Sequence, residues 1–399
     1  MPHDPVILFT AFEPSGDEHA APVIAALLRR DPTLRIYAMG GPRMQAAGAE
    51  LIETSTTRSV MGAGAASQAL AHRARLKRLK KWVDAQPVAL HVPTDSPAAN
   101  WAICRMVKRR WAAAPGMGRV VHLVAPQVWA WASWRVRRLH KWSDHVLCLL
   151  PFEPDWFAAH NVAATFIGHP VFDSPPPSTG DLEAELPSGR PRLALLPGSR
   201  RDEVVRNWPV MQHVYEQLSA RFPELTAVIP AADEPAEQVV RQSYAHDLPK
   251  NLTLIRGRMD DVVRASDVVL TVSGTATLHV AQHRKPMVVV YRVNGLTWHA
   301  IGRWLMNTGT FTLPNLVAGG GPHRDRARHI VPEFVPFLGS PAKAGPIIET
   351  LSDLLEDEAK REAQIASLDQ VCRAFESHDA GERAADVILE ILKPTAKTA

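Results

Sequence analysis

The sequence predicts an α/β protein built from two parallel-sheet halves, and three observations predict it. Short, fully apolar runs recur along the 399 residues, segments of helical period separate them, and a stretch crowded with Pro, Ser and Gly interrupts the alternation at 168–192. Apolar runs of strand length suit strands covered on both faces. Strand–helix alternation then implies parallel sheets wound right-handed, with helices on both sides. A chain of this length can bury a core in each of two domains.

In order, the expected strands are VILFTAF 6–12, RIYAMG 35–40, VALHV 88–92, RVVHLVA 119–125, HVLCLL 145–150 and ATFIG 164–168. After the Pro-rich stretch come RLALLP 192–197, LTAVIP 225–230, NLTLIRG 251–257, VVLTVSG 268–274 and PMVVVYR 286–292. Helices are expected at 18–30, 65–82, 100–113, 203–221, 234–243, 275–284 and, in several pieces, 346–392. This predicts a first domain over 1–172, a second over 190–365, and a final helical segment, 366–399, returning to the first. The glycine-rich, charged stretch AGGGPHRDRARH, 318–329, reads as an exposed loop.

Composition narrows the function class. Hydrophobic residues are 46% and charged residues 22%, which excludes a disordered chain, and a net charge of +4 does not call for nucleic acid. Basic clusters interleaved with tryptophan, HRARLKRLKKW 72–82 and WRVRRLHKW 134–142, suit phosphate-rich partners or an anionic membrane surface. Just before the second cluster, Trp129 and Trp131 are expected to pack inward. Three widely spaced cysteines predict a reducing compartment, with neither a disulfide framework nor a CxxC metal pair. The first residues lack the basic flank and long apolar stretch of a signal peptide, and no run approaches the roughly 18–20 residues of a membrane span. A cytoplasmic protein whose membrane contact is peripheral is therefore expected.

Four strand-to-helix turns carry the chemistry. In FTAFEPSGDEHA, Glu13, Ser15, Gly16 and Asp17 follow the first strand; the loop is too acidic to welcome phosphate unaided and better suits sugar hydroxyls, or is simply a capped turn. In ALHVPTDSPAAN, the strand should stop near Val92 because Pro93 cannot continue a central ladder. Asp95 then stands on a loop pinned by two prolines, with Asn100 at the next helix start. A carboxylate held at a strand's carboxyl end is a candidate general base; a helix-capping Asp is the alternative.

In the second half, LALLPGSRRDEV places Gly198, Ser199 and Arg200 between a buried strand and a helix. Amides at such a helix start favour an anion, and Arg200 can add a charge-assisted pair to phosphate. The competing reading has Ser199 capping the helix and the arginines pairing with Asp202 and Glu203. VVLTVSGTATL repeats the grammar with Ser273, Gly274 and Thr275, and two such turns favour a diphosphate site at strand carboxyl ends.

Together these segments resemble one family, the lipid-A-disaccharide synthases, inverting glycosyltransferases of the GT-B type. The likeness runs from the first strand to about residue 335 through GGPRMQAAG 40–48, SVMG 59–62, TDSPAAN 94–100, APQVWAW 125–131, LPFEPDWF 150–157, FIGHP 166–170, LLPGSR 195–200, SGTATL 273–278, LPNLVAG 313–319 and VPEF 331–334. The resemblance implies two Rossmann-like domains facing a cleft, with C-terminal helices crossing back to the first. It implies transfer of 2,3-diacylglucosamine from its UDP derivative to 2,3-diacylglucosamine 1-phosphate, forming a β(1→6) bond and releasing UDP. Asp95 matches the family's acid and would take the acceptor 6-OH proton. Asn315 in LPNLVAG matches a polar position near the donor, and Tyr291 and Arg292 would flank the nucleotide. The resemblance further implies a homodimer exchanging C-terminal segments and attachment to the inner face of the inner membrane, with residues 60–82 against anionic headgroups.

Two positions depart from the family pattern. Ala98 stands where a second acid is usual, and His279 stands where a glutamate would bind the ribose. These motivate one alternative, a non-catalytic paralogue; shared diphosphate turns motivate another, a UDP-sugar 2-epimerase. No cofactor is expected, and without an Asp-x-Asp pair at a strand end the transfer should be metal-independent.

Overall fold

A computed structural model of the chain describes residues 5–56, 65–112, 118–176, 178, 180, 182–295, 298–302, 305–323, 328–376 and 378–393. It divides into two compact units, one running to Asp173 and including the last helix, the other running from Ser174 to Glu376.

The first unit is a seven-stranded parallel sheet of order β3-β2-β1-β4-β5-β6-β7. Its strands are β1 Val6–Thr10, β2 Arg35–Gly40, β3 Glu50–Thr54, β4 Val88–Pro93, β5 Arg119–Leu123, β6 His145–Cys148 and β7 Ala164–Phe166. Its helices are α1 Pro14–Arg30, α2 Pro42–Ala46, α3 Ala65–Ala85, α4 Pro97–Ala112, α5 Val136–Trp142 and α6 Glu153–Ala158. Strand β1 shows why a continuous apolar run marks a central parallel strand. Ile7 and Phe9 pack on one face with α1, while Val6 and Leu8 pack on the other with Leu79 of α3 and Ile103 of α4. Each face buries its own layer, so no polar alternation is tolerated.

The second unit is a six-stranded parallel sheet of order β10-β9-β8-β11-β12-β13. Its strands are β8 Arg192–Leu196, β9 Thr226–Ala231, β10 Leu252–Arg256, β11 Val268–Thr271, β12 Met287–Arg292 and β13 Glu333–Phe337. Helices α7 Arg201–Arg221, α8 Glu234–Gln242, α9 Met259–Ala265, α10 Ala276–Gln282, α11 Leu313–Ala318, α12 Gly345–Glu356 and α13 Glu358–Arg373 cover it. Leu193 and Leu195 pack under Trp208, Met211 and Tyr215 of α7.

The last helix, α14 Ala380–Leu392, belongs to the first unit and lies on α1. Ala384, Ala385 and Ile388 are fully buried in the same core as Ile24 and Leu27. Small residues let the two helices approach closely: a Cβ on Gly381 would stand 3.0 Å from Pro22 Cβ.

The structure adds two strands that the apolar-run criterion passes over, β3 and β13, and both are sheet edges. Their residues are half-buried, and acids or prolines break the run in ELIET and EFVPF. It also corrects the end of β4. Pro93 is the last strand residue, paired with Thr10 of β1, and β5 registers with β4 only at Leu90 and His91, so the missing N–H breaks no ladder bond there. Among the described residues, no helix is long and apolar enough to cross a membrane.

Candidate active site

In each unit the strand order reverses at one place, β1/β4 in the first and β8/β11 in the second. Ligands of open α/β sheets bind outside the carboxyl ends of strands at such a point. All four chemistry-bearing turns lie there.

In the first unit, the turn after β1 meets the turn after β4. Ser15 Oγ donates to Asp95 Oδ2 at 2.5 Å, and the Ser96 amide donates to Asp95 Oδ1 at 2.7 Å. Asp95 and Ser96 both hold left-handed backbone, with φ of 50° and 38°, and Val124 at the end of β5 does the same with φ 66°. Consecutive non-glycine residues in this region are strained and persist only where surroundings enforce them. The enforcing contacts are visible. The Asp95 amide donates to Leu123 O at 3.1 Å, and fully buried Asn100 donates through Nδ2 to Asp95 O at 2.9 Å. Asn100 Oδ1 in turn accepts from Thr10 Oγ1 at 2.6 Å, whose oxygen lies 2.9 Å from His91 Nε2. Gly16 permits the two turns to touch, since a Cβ there would stand 2.9 Å from Ala11 Cβ and 3.2 Å from Thr94 O.

The other candidate residues of these two turns, expected to serve the acceptor sugar, divide. Glu13 is exposed, in extended backbone before α1. Asp17 is buried, and its carboxylate accepts the amides of Gly41, Arg43 and Met44 at 2.9–3.1 Å. It caps α2 and holds the GGPRM turn. Asn100 is likewise a loop organiser, enclosed by its own hydrogen bonds.

Two histidines, His19 and His122, feel the charge of Asp95, and a third, His91, bonds Thr10 behind it; sequence reasoning passed over all of them. Burial pulls His122 down to about 4 and His91 to about 3, and it lowers His19; the charge of Asp95 opposes this at His19 and His122. Among the described residues neither ring nitrogen of His122 has a hydrogen-bond partner. Burial therefore disfavours the charged form of all three imidazoles.

In the second unit β8 and β11 are hydrogen-bonded neighbours, and the Val272 amide reaches Leu196 O at 3.2 Å, so the two turns are adjacent. They differ in what they offer. At the first, Gly198 has φ 124° and its missing Cβ leaves room for Glu203. Glu203 Oε2 accepts the amides of Ser199 and Arg200 at 3.2 and 3.4 Å, and its other oxygen lies 3.5 Å from the Arg200 guanidinium. The amides expected to point at a phosphate are thus capped by Glu203, the alternative that places the arginine against an acid. Ser199 is not the cap. Arg200 itself is 67% exposed and can swing.

The second turn is open. Gly274 has φ 141°, a Cβ added to it would have nothing within 4 Å, and it and Thr275 are exposed. Their amides donate to no atom of the described residues. Ser273 Oγ donates to Phe311 O at 2.8 Å, leaving its oxygen as an acceptor.

Of the remaining expectations, Arg292 and Tyr291 end β12 half-buried; the Arg292 amide donates to Asn207 Oδ1 at 2.9 Å. Asn207, missed in the sequence, is buried and also donates to Glu203 O at 2.9 Å, tying the Gly198 turn to the end of β12. His279 turns Nδ1 toward Asp260 at 3.6 Å, and His283 Nε2 meets the same oxygen at 3.0 Å. Burial pushes Asp260 up, yet the two imidazoles hold it below the usual carboxylate range. Asn315 is fully buried, exchanging hydrogen bonds of 2.9 Å with Val331 N and O. Its amide is consumed by these bonds inside the unit. The polar group beside it is Glu333, which accepts from Phe311, Thr312 and Asn315 and so shapes the loop that Ser273 leans on.

Similarity to known proteins spans the chain. The profile of a family described as lipid-A-disaccharide synthetase matches residues 7–388. A lipid-A-disaccharide synthase of Myxococcus xanthus is 34% identical over 403 residues, with 99% of each chain covered. Those of Geobacter sulfurreducens and Pseudomonas aeruginosa are each 32% identical, covering 97% of this chain. Among solved structures, the glycotransferase of kitacinnamycin superposes with TM-score 0.59 at 16% identity, covering 98% of this chain and 99% of its own. A putative UDP-N-acetylglucosamine 2-epimerase from Listeria monocytogenes gives TM-score 0.59 at 12% identity, with 97% and 96% covered. Identities this low speak for the fold alone.

Proposed function

The chain belongs to the lipid-A-disaccharide synthetase family and is a glycosyltransferase of lipid A biosynthesis; from that premise we propose that it joins UDP-2,3-diacylglucosamine to 2,3-diacylglucosamine 1-phosphate. Asp95 accepts the proton of the acceptor 6-OH as that oxygen attacks the anomeric carbon of the donor. The bond from that carbon to the diphosphate oxygen breaks, the configuration inverts to β, and UDP leaves with the bonding pair. The proton stays on Asp95 until solvent removes it.

One observation carries this reading: Asp95 is bonded to Ser15 at the strand-order reversal, in strained backbone. A carboxylate held in one orientation at a strand's carboxyl end is positioned as a general base requires. Charge developing on UDP is met by the open amides of Gly274 and Thr275 and by Arg200, which is electrostatic stabilisation where charge appears. Glu203 keeps the first turn in shape and positions Arg200; it does not itself meet the anion. His279 donates to or accepts from the ribose with the nitrogen not turned to Asp260. Both substrates carry acyl chains, so access is from a membrane surface, through peripheral contact with anionic headgroups.

The test is direct. Purified protein with both diacyl substrates should yield UDP and disaccharide in equal amounts. Epimerisation of UDP-N-acetylglucosamine without disaccharide would overturn the reading, and UDP binding without either product would indicate a paralogue that has lost turnover.

A further inference from the structure

The tryptophan-rich basic segment singled out in the sequence is given no role in the transfer step above, and the fold presents it to solvent. Trp131 is 44% and Trp134 57% exposed, and with Val205 and Leu338 they are the exposed large hydrophobic side chains of the described residues. Scattered exposed apolar residues need no explanation. Two indoles three positions apart within a cationic cluster do. Helix α5 buries Val136 and Leu139 and turns Arg137, Arg138 and Lys141 outward. The Arg135 guanidinium lies 4.0 Å over the Trp131 ring and that of Arg138 5.9 Å from the Trp134 ring. No acid among the described residues pairs with Arg135, Arg137, Arg138 or Lys141. The base beneath is rigid: Trp129 is buried and its indole N–H donates to Glu153 at 2.9 Å. Trp131, expected to pack inward with Trp129, instead faces water.

The other basic segment presents no exposed indole among its described residues. Arg75 and Arg78 of α3 are both taken up by Glu53 on β3, at 2.9 and 2.8 Å, and Lys80 pairs with Asp84, while Arg73, Lys77 and Lys81 are exposed. Residues 60–64, the start of the expected membrane-facing stretch, lie outside the described residues.

We propose that Trp131, Trp134, Arg137, Arg138 and Lys141 form a docking surface for an anionic phospholipid bilayer. The indoles enter the headgroup layer, where one apolar face and one wet edge suit tryptophan, and the unpaired cations lie over lipid phosphates. The inference rests on the reading that the substrates are lipids, and it identifies the surface that brings the enzyme to them.

Co-sedimentation of the full-length protein with phosphatidylcholine vesicles, with and without phosphatidylglycerol, tests it. Wild type should bind the anionic vesicles and be released by salt. The variant R137Q/R138Q/K141Q should bind about 100-fold more weakly, at about fivefold for each cation lost near the surface. In W131F/W134F, quenching of tryptophan fluorescence by brominated lipids should fall sharply from the wild-type value. Thermal midpoints and turnover on detergent-dispersed substrates should stay at wild-type values, which separates lost docking from lost folding. Wild-type partitioning of the cation variant, or unchanged quenching in W131F/W134F, would overturn the surface. So would an oligonucleotide bound more tightly than vesicles and lost in the same variants. Should wild type bind vesicles through these residues yet make no disaccharide, the surface stands and the transfer reading falls.

Discussion

Ser15 Oγ and Asp95 Oδ2 stand 2.5 Å apart, joining the turn after β1 to the turn after β4. The serine donates, so it fixes the plane of the carboxylate. Asp95 Oδ1 is spent on the Ser96 amide. A carboxylate offers about four lone-pair sites, so room remains for a substrate hydroxyl after both bonds are made.

Asp95→Asn keeps the shape of this corner and removes the base. Turnover should fall by about 10²- to 10⁴-fold, the usual contribution of a positioned general base, while UDP affinity in calorimetry stays at its wild-type value. Undiminished turnover would strip Asp95 of the role.

Asn100 acts one step back, through the loop it holds. Asn100→Ala leaves the Thr10 hydroxyl and the Asp95 carbonyl without their buried partner. Orphaned groups of this kind cost about 1–3 kcal/mol each, so the denaturant midpoint should drop. A split in the kinetics separates positioning from mere stability: kcat reduced about tenfold at a temperature where the variant is folded, with the donor KM unmoved. A variant that loses stability but not kcat would make Asn100 a purely structural residue.

Arg200 and Glu203 should part company. Arg200→Ala removes a charge from the diphosphate and should raise the donor KM about tenfold with little change in acceptor KM. Glu203→Gln keeps one acceptor for the Ser199 and Arg200 amides and should move donor KM less. Equal effects would mean that the turn's shape, rather than the guanidinium, governs donor binding.

Asn315→Ala should behave as a core lesion. Its amide serves Val331 on both sides, so thermal stability should fall while donor KM in the folded fraction holds. A selective rise in donor KM would return Asn315 to the nucleotide site.

Acid stability follows from His91 and His122, which burial holds at about 3 and about 4 in the folded chain against an ordinary value of 6.5. Between pH 6.5 and 4 the unfolded chain binds protons that the folded chain refuses. Stability is therefore whole above about pH 6.5 and falls as pH drops toward 4, by up to about 1.4 kcal/mol per pH unit for each ring. Burial lifts Glu153 to about 7, so over pH 4.5–7 it acts with the opposite sign, losing stability as pH rises. Asp173, which burial lifts to about 6, acts with Glu153, so the histidine contribution is read from the difference between wild type and a variant. Denaturant titrations from pH 7 to 4.5 should show His122→Phe losing less stability than wild type across that window; parallel curves would remove His122 from the account.

Much of the fold was legible because buried parallel strands leave an unbroken signature. RIYAMG and RLALL announce β2 and β8 without any partner in view, and the glycine–hydroxyl turns after β1, β8 and β11 mark the carboxyl ends of strands. What escaped was either at an edge, where β3 and β13 mix acids and proline with apolar residues, or chemically ambiguous. Asp17, Asn100 and Asn315 carry the same side chains that a substrate pocket would use. Only burial and partners tell that all three are satisfied within the protein. Glu203 shows the converse, an ordinary helix-start acid that folds back over amides which the sequence alone would assign to phosphate.

By itself, then, the sequence determined the two sheets, the strand-to-helix turns at their carboxyl ends, and the family, because periodicity and turn residues act over a few positions of chain. Only the tertiary structure decided which polar groups remain available. Ser15 meets Asp95 from 80 residues away, and Asn315 closes on Val331 across 16. Whether a side chain is buried and paired depends on neighbours that arrive from elsewhere in the chain, and local pattern carries no record of them.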